Sequence, residues 1–221
     1  DTGDDKESAP SNDEPGEEGE GDDDNNSRSE IDIQLEKILF NIIQTERNII
    51  ASRITDIYPG QSRSLTLNSG ARLDIPAGSV GQRDKLLIGI VRDTSRYIDK
   101  DGIEAKLLSP IYELQFARSN QSLNKPVRLT FPYDMLMVDD TKNIGFYYYN
   151  EAFGKWQYIG GVYNHETKEI SVLLNHFSKY ALLSDETMIN FNDIQGRASE
   201  KDIKGLYSLG VVNGIPDGTG F

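Results

Sequence analysis

The sequence predicts a mainly β protein: an antiparallel β-sandwich with a disordered acidic tail in front and a short helical segment behind. Three observations carry this expectation. From Ser62 onward, apolar and polar residues alternate in runs of five to seven residues, the period of a half-buried strand. Turn residues separate those runs at short intervals: Asn68-Ser69-Gly70, Asp101-Gly102, Ser119-Asn120, Phe153-Gly154 and Asn164-His165. Beyond Leu183 the period changes again, after a polar joint at 184–190. Short strands with evenly spaced turns indicate a sandwich or barrel, not alternating strands and helices.

Residues 1–29 are almost wholly Asp, Glu, Gly, Ser, Asn and Pro. Such a segment has too little apolar surface to offset chain entropy, so disorder is expected. The formal net charge of −13 belongs largely to this tail: residues 1–30 hold 13 acidic and two basic residues, leaving 23 acidic and 21 basic elsewhere. The body is therefore nearly neutral, without the basic patch that phosphate-backbone binding needs, and nucleic acid is not an expected partner. Like charges keep the tail extended, as a spacer requires.

Residues 30–58 form a lead-in. Leu35, Ile38, Leu39, Ile42 and Ile43 repeat at amphipathic-helix spacing, with Ser29 placed to cap the start. The helix is expected to run to about Asn48, with a strand from Ile49, and to pack against the sandwich. Strands are then expected at Ser62–Leu67, Ala71–Ile75, Lys85–Val91, Ile111–Phe116, Val127–Phe131, Ile144–Asn150, Lys155–Ile159, Glu169–Leu174 and Phe177–Leu183. Gly70 supplies positive φ in the first hairpin. Pro76 ends the second strand, since it has no donor for the ladder. A helix over Ala198–Leu209 follows, with an apolar stripe of Ala198, Ile203, Leu206 and Leu209.

The absence of cysteine excludes disulfides and thiolate metal sites. Two histidines, His165 and His176, are too few for a His-rich metal centre. No metal or cofactor is expected. No apolar run approaches the about 20 residues that cross a bilayer as a helix. The chain opens at Asp1 without Met or a signal sequence, as expected of a mature segment or fragment.

Three places invite a chemical reading. His176-Phe177-Ser178 puts a base and a hydroxyl two residues apart; on a strand, His176, Ser178 and Tyr180 share one face and Phe177, Lys179 and Ala181 the other. A strained Phe177–Ser178 peptide could be attacked by the Ser178 hydroxyl with His176 as base, giving an ester that water hydrolyses. Ordinary strand packing is the competing role. A conventional serine hydrolase is not expected, because there is no Gly-x-Ser-x-Gly elbow. Asp99-Lys100-Asp101-Gly102 resembles part of a calcium loop but lacks its spaced oxygens and bidentate Glu, so a turn is expected. Tyr147, Tyr148 and Tyr149 with Trp156 and Tyr158 could make a sugar platform. Alternation along the strand puts at least one of their faces in the core instead.

Two segments resemble known families. Phe191-Asn192-Asp193-Ile194, then Ile203 and Leu206, then Gly210-Val211-Val212-Asn213-Gly214-Ile215-Pro216-Asp217-Gly218, resembles the first half of a surface-layer homology (SLH) repeat. That resemblance implies a secreted bacterial protein docked on pyruvylated cell-wall polysaccharide, with surface-layer self-association possible. The residues it would carry over to polymer binding are Asp193, Asn213 and Asp217, for which capping and turn duty is the competing role. Ala198 stands where the family commonly has an aromatic residue. The repeat's second helix, with its Thr-Arg-Ala-Glu motif, is not in the chain. Residues 62–183 resemble the ZU-five type of β-sandwich, through Leu73-Asp74-Ile75-Pro76-Ala77-Gly78-Ser79-Val80, Pro110-Ile111-Tyr112-Glu113-Leu114, Lys125-Pro126-Val127-Arg128-Leu129-Thr130-Phe131-Pro132-Tyr133 and Asn175-His176-Phe177-Ser178-Lys179-Tyr180. Some members of that family cut themselves inside a His-Phe-Ser motif. Together the two resemblances imply a non-catalytic extracellular module, 59–183 as sandwich and 191–221 as partial anchor repeat, which spaces and tethers a larger protein. A carbohydrate-binding accessory module of a polysaccharide-degrading enzyme is the further alternative.

Overall fold

A computed structural model describes residues 29–46, 48–67, 69–94, 105–118, 121–132, 144–185, 191, 193–209 and 211–212. The acidic tail before Ser29, the calcium-like Asp99–Gly102 stretch, the turns at Asp101-Gly102 and Ser119-Asn120, and the loop with Asn213 and Asp217 lie outside the described residues.

Helix α1 (Glu30–Glu46) begins where its sequence provides a cap: the Asp32 amide donates to Ser29 Oγ at 3.2 Å. Leu35 and Leu39 on its inner side are buried. Among the described residues twelve strands follow in chain order: β1 (Ile49–Ile57), β2 (Arg63–Thr66), β3 (Arg72–Ile75), β4 (Asp84–Val91), β5 (Ala105–Leu107), β6 (Tyr112–Phe116), β7 (Val127–Pro132), β8 (Ile144–Asn150), β9 (Lys155–Gly160), β10 (Val162–Asn164), β11 (Glu169–Leu174) and β12 (Lys179–Asp185). Helix α2 (Glu200–Ser208) closes the series. The three-residue strands β5 and β10 were not expected, because a run that short shows no period.

The strands form two antiparallel sheets, which makes the protein a sandwich. One sheet has the order β1-β4-β6-β12-β8-β9, with β5 paired to the C-terminal end of β12. The other has the order β10-β11-β7-β3-β2. Between them lies the main core. Leu86, Ile88, Leu114, Phe146 and Leu182 come from the first sheet; Leu65, Leu73, Leu129, Phe131, Ile170 and Val172 come from the second. Each fully buried side chain of this size stabilises the fold by about 1.5–3 kcal/mol before entropy is counted.

The two sheets differ on their outer faces. The second turns polar residues outward, with Ser64 and Thr66 exposed and Arg72 paired to Asp74 at 3.1 Å and to Glu169 at 3.2 Å. The first sheet is covered on its outer face as well. There α1 buries Leu87 and Ile49 beneath Leu35 and Leu39. Beside them a second cluster gathers Val91, Ile111, Tyr147, Tyr149, Ala181 and Leu183, with Trp156, Tyr158 and Tyr207 packed against it. Covering both faces explains why β4 is buried almost throughout rather than at alternate residues.

Ion pairs fasten α1 to β4. Lys85 Nζ lies 3.1 Å from Asp56 and 3.4 Å from Glu36, and Arg83 reaches Asp32 at 2.5 Å and Asp56 at 3.2 Å. Burial disfavours the Lys85 ammonium, but its hydrogen bonds and charge contacts with Asp56 and Glu36 outweigh that, so it is held above the usual lysine value.

Candidate functional site: the sheet crossover and the helix seam

The His-Phe-Ser stretch does not lie on a strand as expected. β11 ends at Leu174 in the second sheet and β12 begins at Lys179 in the middle of the first, so Asn175–Ser178 carry the chain between sheets. A backbone that changes sheets cannot keep the ladder, and the expected sharing of one face by His176, Ser178 and Tyr180 does not arise. Each of the three residues is instead held separately. Phe177 is half-buried, its ring 4.7 Å from that of Phe116. The Ser178 hydroxyl donates to the Tyr149 carbonyl at 3.3 Å, and the Ser178 carbonyl accepts from the Leu114 amide at 2.9 Å. His176 is exposed; its ring stands edge-on to Tyr148 at 4.9 Å, with Nδ1 3.5 Å from the Phe177 carbonyl oxygen.

Tyr180 organises this corner. Its hydroxyl donates to the His176 carbonyl at 2.6 Å and lies 3.3 Å from His176 Nδ1. Burial, reinforced by the neighbouring Tyr148 hydroxyl, pushes the Tyr180 phenol far above its usual value. It therefore stays a donor at any physiological pH and fixes the crossover backbone. The Ser178 hydroxyl is spent on Tyr149, and the His176 ring is oriented by Tyr148 and Tyr180.

The aromatic residues of β8 and β9 divide as strand alternation requires. Tyr148 packs towards the main core, while Tyr147 and Tyr149 are buried on the opposite face. Trp156 stands edge-on to Tyr149 at 5.5 Å and Tyr158 to Tyr147 at 5.3 Å. These rings fill an interface, the role that alternation favours over a sugar platform.

What covers them is α2. The Tyr158 amide donates to Ser208 Oγ at 3.0 Å, and the Tyr207 ring meets Phe191 at 5.3 Å. The face that α2 buries matches the expected stripe only in part, at Leu209 and, half-buried, Ile203. Lys204, Gly205 and Leu209 are buried, whereas Ala198 and Leu206 are exposed. The reason is steric: small Gly205 and Ser208 let the helix backbone approach β9, which the bulkier stripe would prevent. The helix starts near the expected place, but the Ser199 side chain does not cap it. Instead Glu200 accepts from the Gly196 amide at 2.7 Å and pairs with Lys204 at 2.8 Å. Asp193 is exposed in the turn between the buried residues Phe191 and Ile194. Asn213 and Asp217 cannot be placed beside it, lying outside the described residues.

Sequence reasoning missed the groove beside this seam, about 700 Å³ in volume, where α2 meets the sheet edge. Arg128 and Leu173 reach it from β7 and β11, and Arg197, Lys201 and Lys204 from α2 and the turn before it. These basic residues are scattered in sequence, and only folding brings them to one place. Among the described residues no group of His, Cys, Asp or Glu could hold a metal ion, and no helix is long and apolar enough to cross a membrane.

Fold and site define a two-sheet antiparallel β-sandwich whose first sheet is capped on its outer face by one helix at each end of the described chain. No model of a known protein family matches it. The chain is 33% identical over 99 residues to the amylopullulanase of Thermoanaerobacterium thermosulfurigenes. That stretch is 44% of this chain and only 5% of the amylopullulanase.

Proposed function

We propose that this chain is a non-catalytic module of a secreted bacterial surface protein, which spaces and tethers that protein to cell-wall polysaccharide. The observation that carries the reading is the seating of α2. The segment resembling an anchor repeat is packed on the sandwich through Tyr158, Gly205 and Ser208, so pull on the anchor is transmitted to a sheet rather than to a loose linker. The partial match supports it, because the shared stretch is a small piece of a far larger protein. The Ser178 hydroxyl donates to the Tyr149 carbonyl, a packing duty that fits a mechanical module. Localisation outside the cell, on the wall, follows from the same reading.

The test is sedimentation of the full-length parent with purified cell walls. The reading expects co-sedimentation that is lost on deletion from Phe191 onward. It is overturned if the parent stays in the supernatant, or if sedimentation survives the deletion. A second reading is favoured by the relative's name, which denotes a polysaccharide-degrading enzyme: the chain would be an accessory carbohydrate-binding module of such an enzyme.

A further inference from the structure

We infer that the groove between α2 and the outer face of the second sheet is the docking site of this chain's own acidic segment, residues 4–18. The inference goes beyond the tethering reading and does not depend on it.

The groove holds cations that its neighbours leave unpaired. Arg128, Arg197 and Lys201 line it, all three are exposed, and none makes an ion pair among the described residues. The acids around them are already engaged. Glu200 is held by Lys204 and by the Gly196 amide. Asp74, opposite Arg128 across the β3–β7 pairing, is held by Arg72. Arginine presents a planar fork that matches a carboxylate bidentately.

Across the groove the order of side chains is cation, aliphatic, cation. Arg197 and Lys201 stand on the α2 side, where the Lys201 stem lies against Gly160 just before β10. Val162 on β10 is 70% exposed, and Leu173 on β11 is 50% exposed. Arg128 follows on β7, directly opposite Leu173. Two strand spacings of about 4.8 Å plus a helix about 10 Å across put the two groups of cations on the order of 15–20 Å apart.

The acidic segment repeats that order. Asp4, Asp5 and Glu7 precede Ala9-Pro10, and Asp13, Glu14, Glu17 and Glu18 follow. From Glu7 to Asp13 an extended chain covers about 20 Å, the span of the groove. Carboxylates can then meet both groups of cations while Ala9 and Pro10 lie over Val162 and Leu173.

Reach favours this occupant over a free anion. The segment joins the sandwich through α1, which packs on β1 and β4, whereas α2 packs on β9 at the opposite edge of the first sheet. Those edges are five strand spacings apart, about 24 Å. Residues 14–28 connect the segment to α1; a chain of that length spans about 20 Å r.m.s. and at most about 50 Å. A tether matched to its span gives an effective concentration in the millimolar range, so even a weak contact is well populated. Docking draws the spacer back along the sandwich and covers the groove until salt or a competing polyanion releases it.

The test uses the full 221-residue chain, which has no cysteine of its own, so a nitroxide can be placed at Ser11→Cys alone. Paramagnetic broadening of backbone amides is read by NMR at about 20 mM and about 500 mM salt. At low salt the amides of Val162, Leu173 and Lys201 should lose about half or more of their intensity, and high salt should restore it. Ser64 and Thr66, exposed on β2 at the far edge of the same sheet, should stay sharp. Arg128→Gln/Arg197→Gln/Lys201→Gln should restore most of the intensity, with an unchanged melting temperature verifying its fold. Asp4→Asn/Asp5→Asn/Glu7→Gln/Asp13→Asn/Glu14→Gln, which leaves the sandwich sequence untouched, should do the same. Sharp groove amides at low salt, or equal broadening in either variant, overturn the inference. Broadening shared alike by Ser64 and Thr66 overturns it in favour of unspecific attraction. Equal broadening of isotope-labelled chains mixed with separate spin-labelled chains overturns it in favour of the acidic segment of a second copy.

Discussion

Gly205 of α2 lies against the main-chain carbonyl of Tyr158 on β9, so closely that a Cβ at that position would sit 3.0 Å from the oxygen. Helix and strand touch backbone to backbone at this point, and the Tyr158 amide completes the contact by donating to Ser208. The anchor-like segment is thus joined to the sandwich at a place with little room for a side chain.

Gly205→Leu should undock α2. The added side chain would have to displace the helix, at a cost of about 1–3 kcal/mol. Trp156, the single tryptophan, lies on the strand that α2 covers, so its emission should shift to the red while far-ultraviolet circular dichroism keeps its β signature. Gly205→Ala should be much milder, because the gain in helix propensity of about 1 kcal/mol offsets the close contact.

Acid should loosen the same seam. Glu200 is held below its ordinary carboxylate value, first by its hydrogen bond to Lys204, which outweighs burial, and further by the Gly196 amide. A depressed carboxylate contributes stability above its unfolded value and loses it as pH falls through the folded one. The contribution should therefore be intact above the ordinary value of 4.5 and fade below it. Asp84 runs the other way: burial raises it, against the Lys85 and Arg118 amides, so protonation there relieves a cost. A pH titration of Trp156 emission should show undocking below about 4.5, and Glu200→Gln should abolish that dependence.

A buried charge ties the crossover to β6. Lys179 Nζ sits 2.9 Å from Glu113 and 2.8 Å from Glu151, and the Glu113 side chain is only 9% exposed. Lys179→Ala strands the Glu113 carboxylate and should cost about 3–5 kcal/mol in urea unfolding. The double variant Lys179→Met/Glu113→Leu should recover most of that loss. Additive losses would show that the two residues do not act as a pair.

Ser178→Ala should lower stability by about 1 kcal/mol or less, the worth of its bond to Tyr149. Intact-mass analysis of wild type and variant should each give a single uncut chain. A wild-type population split between Phe177 and Ser178, absent from the variant, would establish self-cleavage and sink the non-catalytic reading.

Much of the fold was legible because it is written in local patterns. The period of two marked β2, β3, β7, β8, β9 and β11 to within a residue or two at each end, and Ser29 with the Leu35 and Leu39 spacing marked α1. Those signals survive because each strand or helix must hide one face whatever the partner is. The partners themselves were not legible. Nothing near Lys179 in sequence says that β12 will lie between β6 and β8, or that Asn175–Ser178 must therefore cross between sheets.

By itself the sequence determined that this is a β protein with an acidic, nearly featureless N-terminal stretch and a helix at each end of its patterned region. Tertiary structure alone decided three things: that the Tyr147 and Tyr149 face is covered by α2, that α2 makes its close approach to β9 at Gly205 and Ser208, and that Arg128 meets Arg197 and Lys201 in one groove. The physical reason is the same for all three. Hydrophobic periodicity records that a surface will be buried, but the occupant is chosen by shape and close approach between residues far apart in the chain.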